Sequence, residues 1–363
     1  NDIGINAEIN NLGAGHEYNC FSKVWWNMDS LINSKILVTG GTGSLGKKLV
    51  SKLCKKNQVI IYSRDEGKQA AIFNDNKDVV KVIGDVRDFG KFNTTLKIHK
   101  PDYIIHAAAL KRIDDMEFHP DECIKTNVNG SDNVARAAIE NNVKKCILVS
   151  TDKACLPVNV YGSSKFIAER IFTNYDYNSI STVFASVRYG NVIASRGSFA
   201  PLFMEWIEND KEIKLTSELM TRFLFTLDDA VEAVLGALKN AKGGEVFVPQ
   251  IDSYTLPTCV KALELLVNKK GKTKLVGLRP GEKLHEDMLA KTELDFTFEV
   301  PDQNLLQIRP QYTKKDYQNW QKYEGPEFNS ALWVKDNIQE LAELIKKGIK
   351  ESWVFLLQEL MAC

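Results

Sequence analysis

From Lys35 onward, short apolar runs alternate with stretches whose apolar residues recur at helical spacing. Lys35-Ile-Leu-Val-Thr39 is the first run, and Leu45, Leu49 and Leu53 then mark one face of a helix. Val59–Tyr62, Val79–Ile83, Tyr103–His106 and Cys146–Val149 continue the series, and Val183–Arg188 adds one more strand. These runs are continuously apolar rather than alternating, which predicts strands buried on both faces of a parallel sheet. Beyond about residue 190 the rhythm changes. Gly197–Ile207 and Lys211–Leu215 read as an insertion, Phe223–Ala241 as a helix and Glu245–Val248 as a strand. Leu256–Asn268, Lys283–Leu289 and Asp336–Ile345 read as helices of a second lobe. No repeat or low-complexity segment interrupts the chain.

The predicted division follows. Residues 1–33 form an N-terminal extension, and 34–190 a parallel-sheet domain to which 224–250 return. Residues 191–223 and 251–335 form a smaller interleaved lobe, and 336–363 a helical tail.

Composition narrows the class. Lys plus Arg and Asp plus Glu both total 47, so the chain lacks the basic surplus of a nucleic-acid binder. With 44% hydrophobic and 26% charged residues it has the make-up of a globular protein. No segment reaches the roughly 18 uninterrupted apolar residues of a membrane span; Trp353–Leu357 is far shorter. The seven cysteines include no Cys-x-x-Cys pair and Cys146 falls inside a strand, a pattern that predicts a reduced, cytoplasmic setting. The five histidines show no ligand spacing, and no secretory signal is visible.

Chemistry begins at Thr39-Gly-Gly-Thr-Gly-Ser-Leu-Gly46, a T-G-x-x-G-x-x-G loop between a strand and a helix. Glycines there allow the tight turn and let backbone amides approach a pyrophosphate at the helix N-terminus. The fold class is therefore α/β: a Rossmann-type doubly wound parallel sheet with a smaller interleaved substrate-binding lobe. The second strand ends in Ser63-Arg64 rather than in a carboxylate. A hydroxyl and a guanidinium suit a 2′-phosphate, so NADP is expected, although Asp65 or Glu66 could still serve NAD. Asp85, after the third strand, is placed to accept from the adenine amine or to cap a helix.

Tyr161 and Lys165 lie four residues apart, on one face of a helix. An ammonium and a positive nicotinamide ring beside the phenol would lower its pKa and make it a base for a substrate hydroxyl. Thr151-Asp152-Lys153 follows a strand end, where ligands bind in open α/β sheets. Its adjacent acid and amine offer one proton donor and one acceptor.

Taken together, these motifs resemble the extended short-chain dehydrogenase/reductase superfamily, and within it the inverting UDP-N-acetylglucosamine 4,6-dehydratases of polysaccharide biosynthesis. The resemblance rests on residues 39–46, 62–66, 84–88, 106–111, 150–154, 161–165, 188–198, 220–223 and 279–286, in the family's order. It implies that Tyr161 is the base at the 4-hydroxyl, supported by Lys165. Lys153 would remove the C5 proton, Asp152 would protonate the departing 6-hydroxyl, and Thr151 would hold the sugar. The implied NADP site comprises Gly40, Thr42, Gly43, Ser44, Leu45 and Gly46, then Ser63, Arg64, Lys68, Asp85 and Val86. Ala107, Ala108, Ala109, Lys111 and Asn127 complete it with Tyr161 and Lys165. Arg222 and Arg279 would grip the nucleotide diphosphate, Glu282 the uridine ribose, and Lys111, Asn191 and Arg196 the remaining substrate. No metal, nucleic acid or membrane is implied; the expected partner is UDP-GlcNAc, in a homo-oligomer of up to six chains.

Some relatives carry Met where this chain has Tyr161, while the tail with Glu327-Phe-Asn-Ser330 is similar to that of the Met-type proteins. A nucleotide-sugar 4-epimerase would share the Tyr–Lys pair but would not need Asp152-Lys153. A retaining dehydratase would more commonly carry Asp-Glu there, and a non-catalytic dinucleotide-binding protein would have lost Tyr161 or Lys165.

Overall fold

The apolar runs become neighbouring parallel strands. In the computed structural model, residues 31–361 are described, except Asp75, Ala194, Arg196, Gly197, Thr313 and Lys314, with side chains described through Glu351. The first half contains β1 (Lys35–Thr39), α1 (Ser44–Leu53), β2 (Gln58–Ser63), α2 (Glu66–Ala70), β3 (Val79–Ile83), α3 (Phe89–His99) and β4 (Tyr103–His106). Then come α4 (Ile113–Phe118), α5 (Pro120–Cys123), a π-helical stretch over Ile124–Asn129, α6 (Gly130–Glu140), β5 (Lys145–Val149), α7 (Val160–Asn178) and β6 (Val183–Val187). The second half holds β7 (Asn191–Val192), α8 (Phe199–Glu208), β8 (Glu212–Leu215), β9 (Thr221–Phe225), α9 (Leu227–Asn240) and β10 (Val246–Pro249). It continues through β11 (Ser253–Thr255), α10 (Leu256–Val267), β12 (Lys272–Leu275), β13 (Asp287–Leu289), β14 (Thr297–Glu299), β15 (Leu305–Ile308), β16 (Phe328–Asn329) and α11 (Ile338–Met361).

The main sheet has nine strands in the order β14-β15-β10-β6-β5-β4-β1-β2-β3. From β3 to β10 every pairing is parallel, and the order reverses between β1 and β4, the switch point at which such sheets bind ligands. Burial on both faces explains the unbroken apolar runs. Ile36, Val38, Val59 and Ile61 join α1 and α9 in one core, while Leu37, Ile60, Ile104 and Leu148 join the α3–α6–α7 side in another. Cys146 is fully buried, as a small apolar residue would be.

Three assignments need correction. Residues 297–308, placed by sequence in the second lobe, extend the main sheet antiparallel beyond β10, which would otherwise leave its edge unpaired. Phe223–Ala241 is not one helix. Its start is the fully buried β9, and α9 begins only where Thr226 and Asp229 form a reciprocal capping box. The tail is helical as read, and Leu341, Ala342 and Ile345 of α11 are buried in the lobe's core with α8 and α10. Finally, Lys283–Leu289 is extended, ending in β13, rather than helical. Arg222 donates to the carbonyls of Lys283 and Leu284, and the Thr221 amide also donates to that of Leu284, so acceptors a helix would need are taken. The predicted extension lies outside the described residues up to residue 30. Among the described residues no helix is long and apolar enough to cross a membrane.

Candidate active site

The carboxyl ends of the parallel strands collect the predicted site residues. After β1, Gly40 adopts φ +69, and a Cβ there would lie 2.9 Å from the Ala108 backbone. That close approach ties the glycine loop to the 107–109 segment after β4, where the Ala108 amide donates to Thr39 Oγ1 at 3.2 Å. A Cβ on Gly46 would collide with the Gly40 carbonyl, so α1 starts hard against the loop. Gly43 caps α1 with no side-chain hydrogen bond, leaving first-turn amides for an anion. This backbone cradle fits the pyrophosphate of a dinucleotide.

Side chains around the cradle are largely held by one another. Ser63 accepts from Gln69 Nε2 at 2.9 Å, Arg64 sits 3.7 Å from Asp85, and Lys68 pairs with Asp65, the cap of α2. Asp85 takes the amide and Nε of Arg87 at 2.9 and 2.8 Å. Burial opposes its ionisation, but those hydrogen bonds and the charge of Arg87 bring its pKa below the ordinary value. Val86 is buried against Gly130. Asn127, expected as a cofactor ligand, instead clamps backbone. Its side chain accepts from the Leu110 amide at 2.8 Å and donates to the Leu110 carbonyl at 2.9 Å and to Ser164 Oγ at 3.0 Å. It thereby shapes the loop that ends at the exposed Lys111.

Below that loop a buried chain of polar groups runs Thr39 Oγ1, His106 Nδ1 (2.7 Å), His106 Nε2, Ser131 Oγ (3.1 Å) and the Asn127 carbonyl (2.6 Å). Burial, then the charge of Lys165, pushes His106 down to about 3, so the imidazole is neutral.

The acid–amine pair follows β5. Asp152 is fully buried, and the Lys153 side chain is 15% exposed. Lys153 Nζ donates to Asp152 Oδ1 at 3.0 Å, and Thr151 Oγ1 donates to the same oxygen at 2.8 Å. Asp152 Oδ2 is buried without a hydrogen-bond partner. One turn into α7, which Asn159 caps by accepting from the Gly162 amide at 2.7 Å, stands Tyr161. Burial pushes the Tyr161 phenol up; a hydrogen bond with Thr151 pulls it back, and Asp152 adds to the rise. Burial would depress Lys153, but Asp152 and a second carboxylate, Glu286, raise it above the ordinary lysine value. Lys165 is pushed down to about 8 by burial against the opposing pull of Glu169.

Residues 279–286 are tied to the strand tips from the other lobe. Gly281, at φ +74, turns the chain so that its carbonyl accepts from Asn159 Nδ2 at 2.8 Å. Lys283 Nζ donates to the Cys155 carbonyl at 2.8 Å, and Arg279 meets Asp114 at 3.0 Å. The two arginines differ. Arg279 is 56% exposed and pairs with Glu282 at 3.0 Å. Arg222 is buried, and its donors face the carbonyls of Thr221, Leu284 and Lys283, Glu282 at 3.4 Å and Glu286 at 3.9 Å. Arg222 thus braces the loop instead of presenting an open fork. Burial opposes the charge on Glu282, but its two arginines keep its pKa low. Asn191, on β7, leaves a buried Oδ1 without a partner. Arg196 lies outside the described residues.

Sequence reasoning missed Glu286 as a functional residue. It sits in the quoted 279–286 stretch, but nothing in the local pattern announces contact with residue 153. It also missed the buried bracket in which Arg188 joins Glu169 at 2.9 Å and Glu293 at 2.8 Å, with Ser150 donating to Glu169 at 2.6 Å. That bracket fastens β6, α7 and the lobe behind the pair.

The chain is similar to known proteins over most of its length. Residues 36–307 match the family model described as polysaccharide biosynthesis protein. A Campylobacter jejuni UDP-N-acetylglucosamine 4,6-dehydratase (inverting) is 43% identical over 290 residues, 77% of this chain and 84% of that protein. A Rickettsia bellii UDP-glucose 4-epimerase is 40% identical over 273 residues, 72% and 80% of the two chains. Among solved structures, Pen from Bacillus thuringiensis superposes with a TM-score of 0.80 at 34% identity, covering 87% of this chain and 98% of its own. DesIV, a dTDP-glucose 4,6-dehydratase from Streptomyces venezuelae solved with NAD, shares the fold at a TM-score of 0.62 and 20% identity, covering 69% and 86%. The match over most of the chain, on a sheet whose strand tips carry the glycine cradle, the acid–amine pair and the Tyr–Lys pair, makes this chain a member of the polysaccharide biosynthesis protein family, within the extended short-chain dehydrogenase/reductase superfamily.

Proposed function

We propose that the chain is a UDP-N-acetylglucosamine 4,6-dehydratase that inverts C5 and works with bound NADP. The observation that carries this reading is the buried Asp152–Lys153 pair, 3.0 Å apart and joined to Tyr161 through Thr151. An epimerase, as in the Rickettsia relative, needs only to oxidise and reduce C4. Elimination of water also needs an acid and a base, and a buried acid–amine pair supplies both.

The cradle at Gly40, Gly43 and Gly46 would hold the pyrophosphate, Ser63 and Arg64 the adenosine end, and Lys165 the nicotinamide ribose. When bound, the cofactor would supply a reversible hydride acceptor for oxidation at C4 and reduction at C6 of the sugar. Tyr161 receives the proton of the 4-hydroxyl, and burial that keeps the phenol neutral at rest makes it a base only when positive charge stands beside it. The C4 ketone acidifies C5, Lys153 takes that proton, and Asp152 gives its own to the leaving 6-hydroxyl. The elimination leaves an ammonium beside a carboxylate, a charge pairing suited to the 3.0 Å contact between Lys153 and Asp152. The pair holds one proton throughout the elimination. Arg279 and Glu282 face the nucleotide, and Asn191 offers its unpartnered oxygen to the sugar or phosphate.

Asp152→Asn and Lys153→Ala test the assignment. Each should bind cofactor and UDP-GlcNAc, reduce the cofactor in a single turnover seen by absorbance, and release no 4-keto-6-deoxy sugar. A variant of either residue that still eliminates water near the normal rate would remove that residue from the mechanism.

A further inference from the structure

Lys153 is held from two sides. Asp152 Oδ1, on its own turn, lies 3.0 Å from Nζ; Glu286 Oε1, from the segment leading into β13, lies 3.4 Å away. Glu286 is 3% exposed, and its Oε2, like Asp152 Oδ2, is buried with no partner. Its backbone is fixed from both directions: its amide donates to Ser330 Oγ at 2.8 Å, and its carbonyl accepts from the Ser330 amide at 2.8 Å. Ser330 in turn shares a hydrogen bond with Thr221 at 2.6 Å. A carboxylate this buried is costly to keep, and its position against the amine is set by three separate stretches of chain.

We propose that Glu286 is the positioning residue for Lys153, the carboxylate that aims the amine and gives it the proton affinity needed to take the C5 proton. The proposal rests on the reading of Lys153 as the C5 base. In the elimination Lys153 gains the C5 proton while Asp152 loses its proton to the departing water. Positive charge thus appears on Nζ at the moment the neighbouring Asp152 turns negative, and Glu286 is the second anion that receives it. The charged groups around Lys153 are Asp152, Glu286 and, from β9, Arg222; those around Glu286 are Lys153, Asp152, Arg222 and Lys283. Of these, the two carboxylates raise the proton affinity of Lys153 and Arg222 lowers it. Removing Glu286's charge therefore weakens the base and moves every proton held by the pair toward lower pH.

The test is Glu286→Gln, with Glu286→Asp as the conservative variant, assayed with UDP-GlcNAc and with the same sugar deuterated at C5. Glu286→Gln should bind cofactor normally by fluorescence and reduce it in a single turnover, yet lose roughly ten- to a hundredfold in kcat. Its C5 deuterium isotope effect should rise, its pH–rate profile should shift to lower pH, and Glu286→Asp should recover part of both. Loss of rate by one constant factor across pH with an unchanged isotope effect, loss of cofactor binding in both variants, or wild-type kinetics would each overturn the proposal. A parallel Lys153→Ala sample separates the two ideas. If it still exchanges C5 hydrogen with deuterated water at the normal rate, the base assignment falls; if it does not and the Glu286→Gln profile stays in place, only the role of Glu286 falls.

Discussion

The two halves of the site are built by different means. On the cofactor side the ligand surface is mostly backbone: the turn at Gly40, the α1 amides behind Gly43, and the 107–109 segment packed against them. Its side chains, among them Asp85, Lys68 and Asn127, are occupied with one another or with the loops they shape. On the proposed sugar side the surface is a dense set of charged side chains drawn from the turn after β5, from β9 and from residues 279–286, with buried oxygens of Asp152, Glu286 and Asn191 left without partners. A backbone cradle binds by shape and dipole and demands glycines at set spacings. A charged cluster works by the mutual influence of groups far apart in sequence, and no spacing rule reports it.

Several measurements would break or sharpen that contrast. The largest effect belongs to Tyr161→Phe. Turnover should fall by about 10²–10⁴, the usual contribution of a positioned base, while UDP-sugar and cofactor still bind; a near-normal rate would mean another base operates. Next comes the split between the two arginines. Arg222→Ala strips the cation from between Glu282 and Glu286 and frees three carbonyls, so it should cost about 3–5 kcal/mol of stability, read as a drop in Tm. Arg279→Ala, at an exposed site, should leave Tm near normal and raise KM roughly tenfold with little change in kcat. Equal behaviour of the two variants would erase the distinction drawn from their burial.

The cofactor side carries a pH signature of its own. His106 titrates at about 3 in the folded protein against 6.5 ordinarily, so below pH 6.5 the unfolded chain binds the extra proton. Stability should therefore fall as pH drops from 6.5 toward 3, and His106→Gln should flatten that slope in a series of melting curves even if it lowers Tm at neutral pH. An unchanged slope would show that the imidazole is protonated in its buried chain. The smallest effect is expected at Arg64, which is about half exposed. Arg64→Ala should weaken NADP by about 1 kcal/mol and NAD hardly at all; equal losses would argue against a 2′-phosphate contact.

The same contrast explains how far the sequence could be read. Unbroken apolar runs identified β1, β2, β4, β5 and β6 because both faces of the sheet are covered. The glycine loop, the Tyr161–Lys165 spacing and the adjacent Asp152 and Lys153 are local patterns, and each stands at a strand tip or on α7 as local reasoning expects. Lys283–Leu289 misled because its apolar spacing mimics a helix while its carbonyls belong to Arg222 and Thr221, some sixty residues earlier. β15 was misplaced because only the free edge of β10 recruits it to the main sheet. The rise in Lys153's proton affinity was beyond reach for the same reason: weighing burial against Asp152 alone omits Glu286, which only the fold brings to the amine.

The central claim is that this site eliminates water across C5 and C6 after oxidation at C4. Turnover of UDP-GlcNAc in deuterated water, followed by NMR, tests it most directly. The account predicts a UDP-4-keto-6-deoxy sugar carrying one deuterium at C5, with coupling constants of the L-arabino configuration. A product free of C5 deuterium and differing from substrate only at C4 would contradict it and make the enzyme an epimerase.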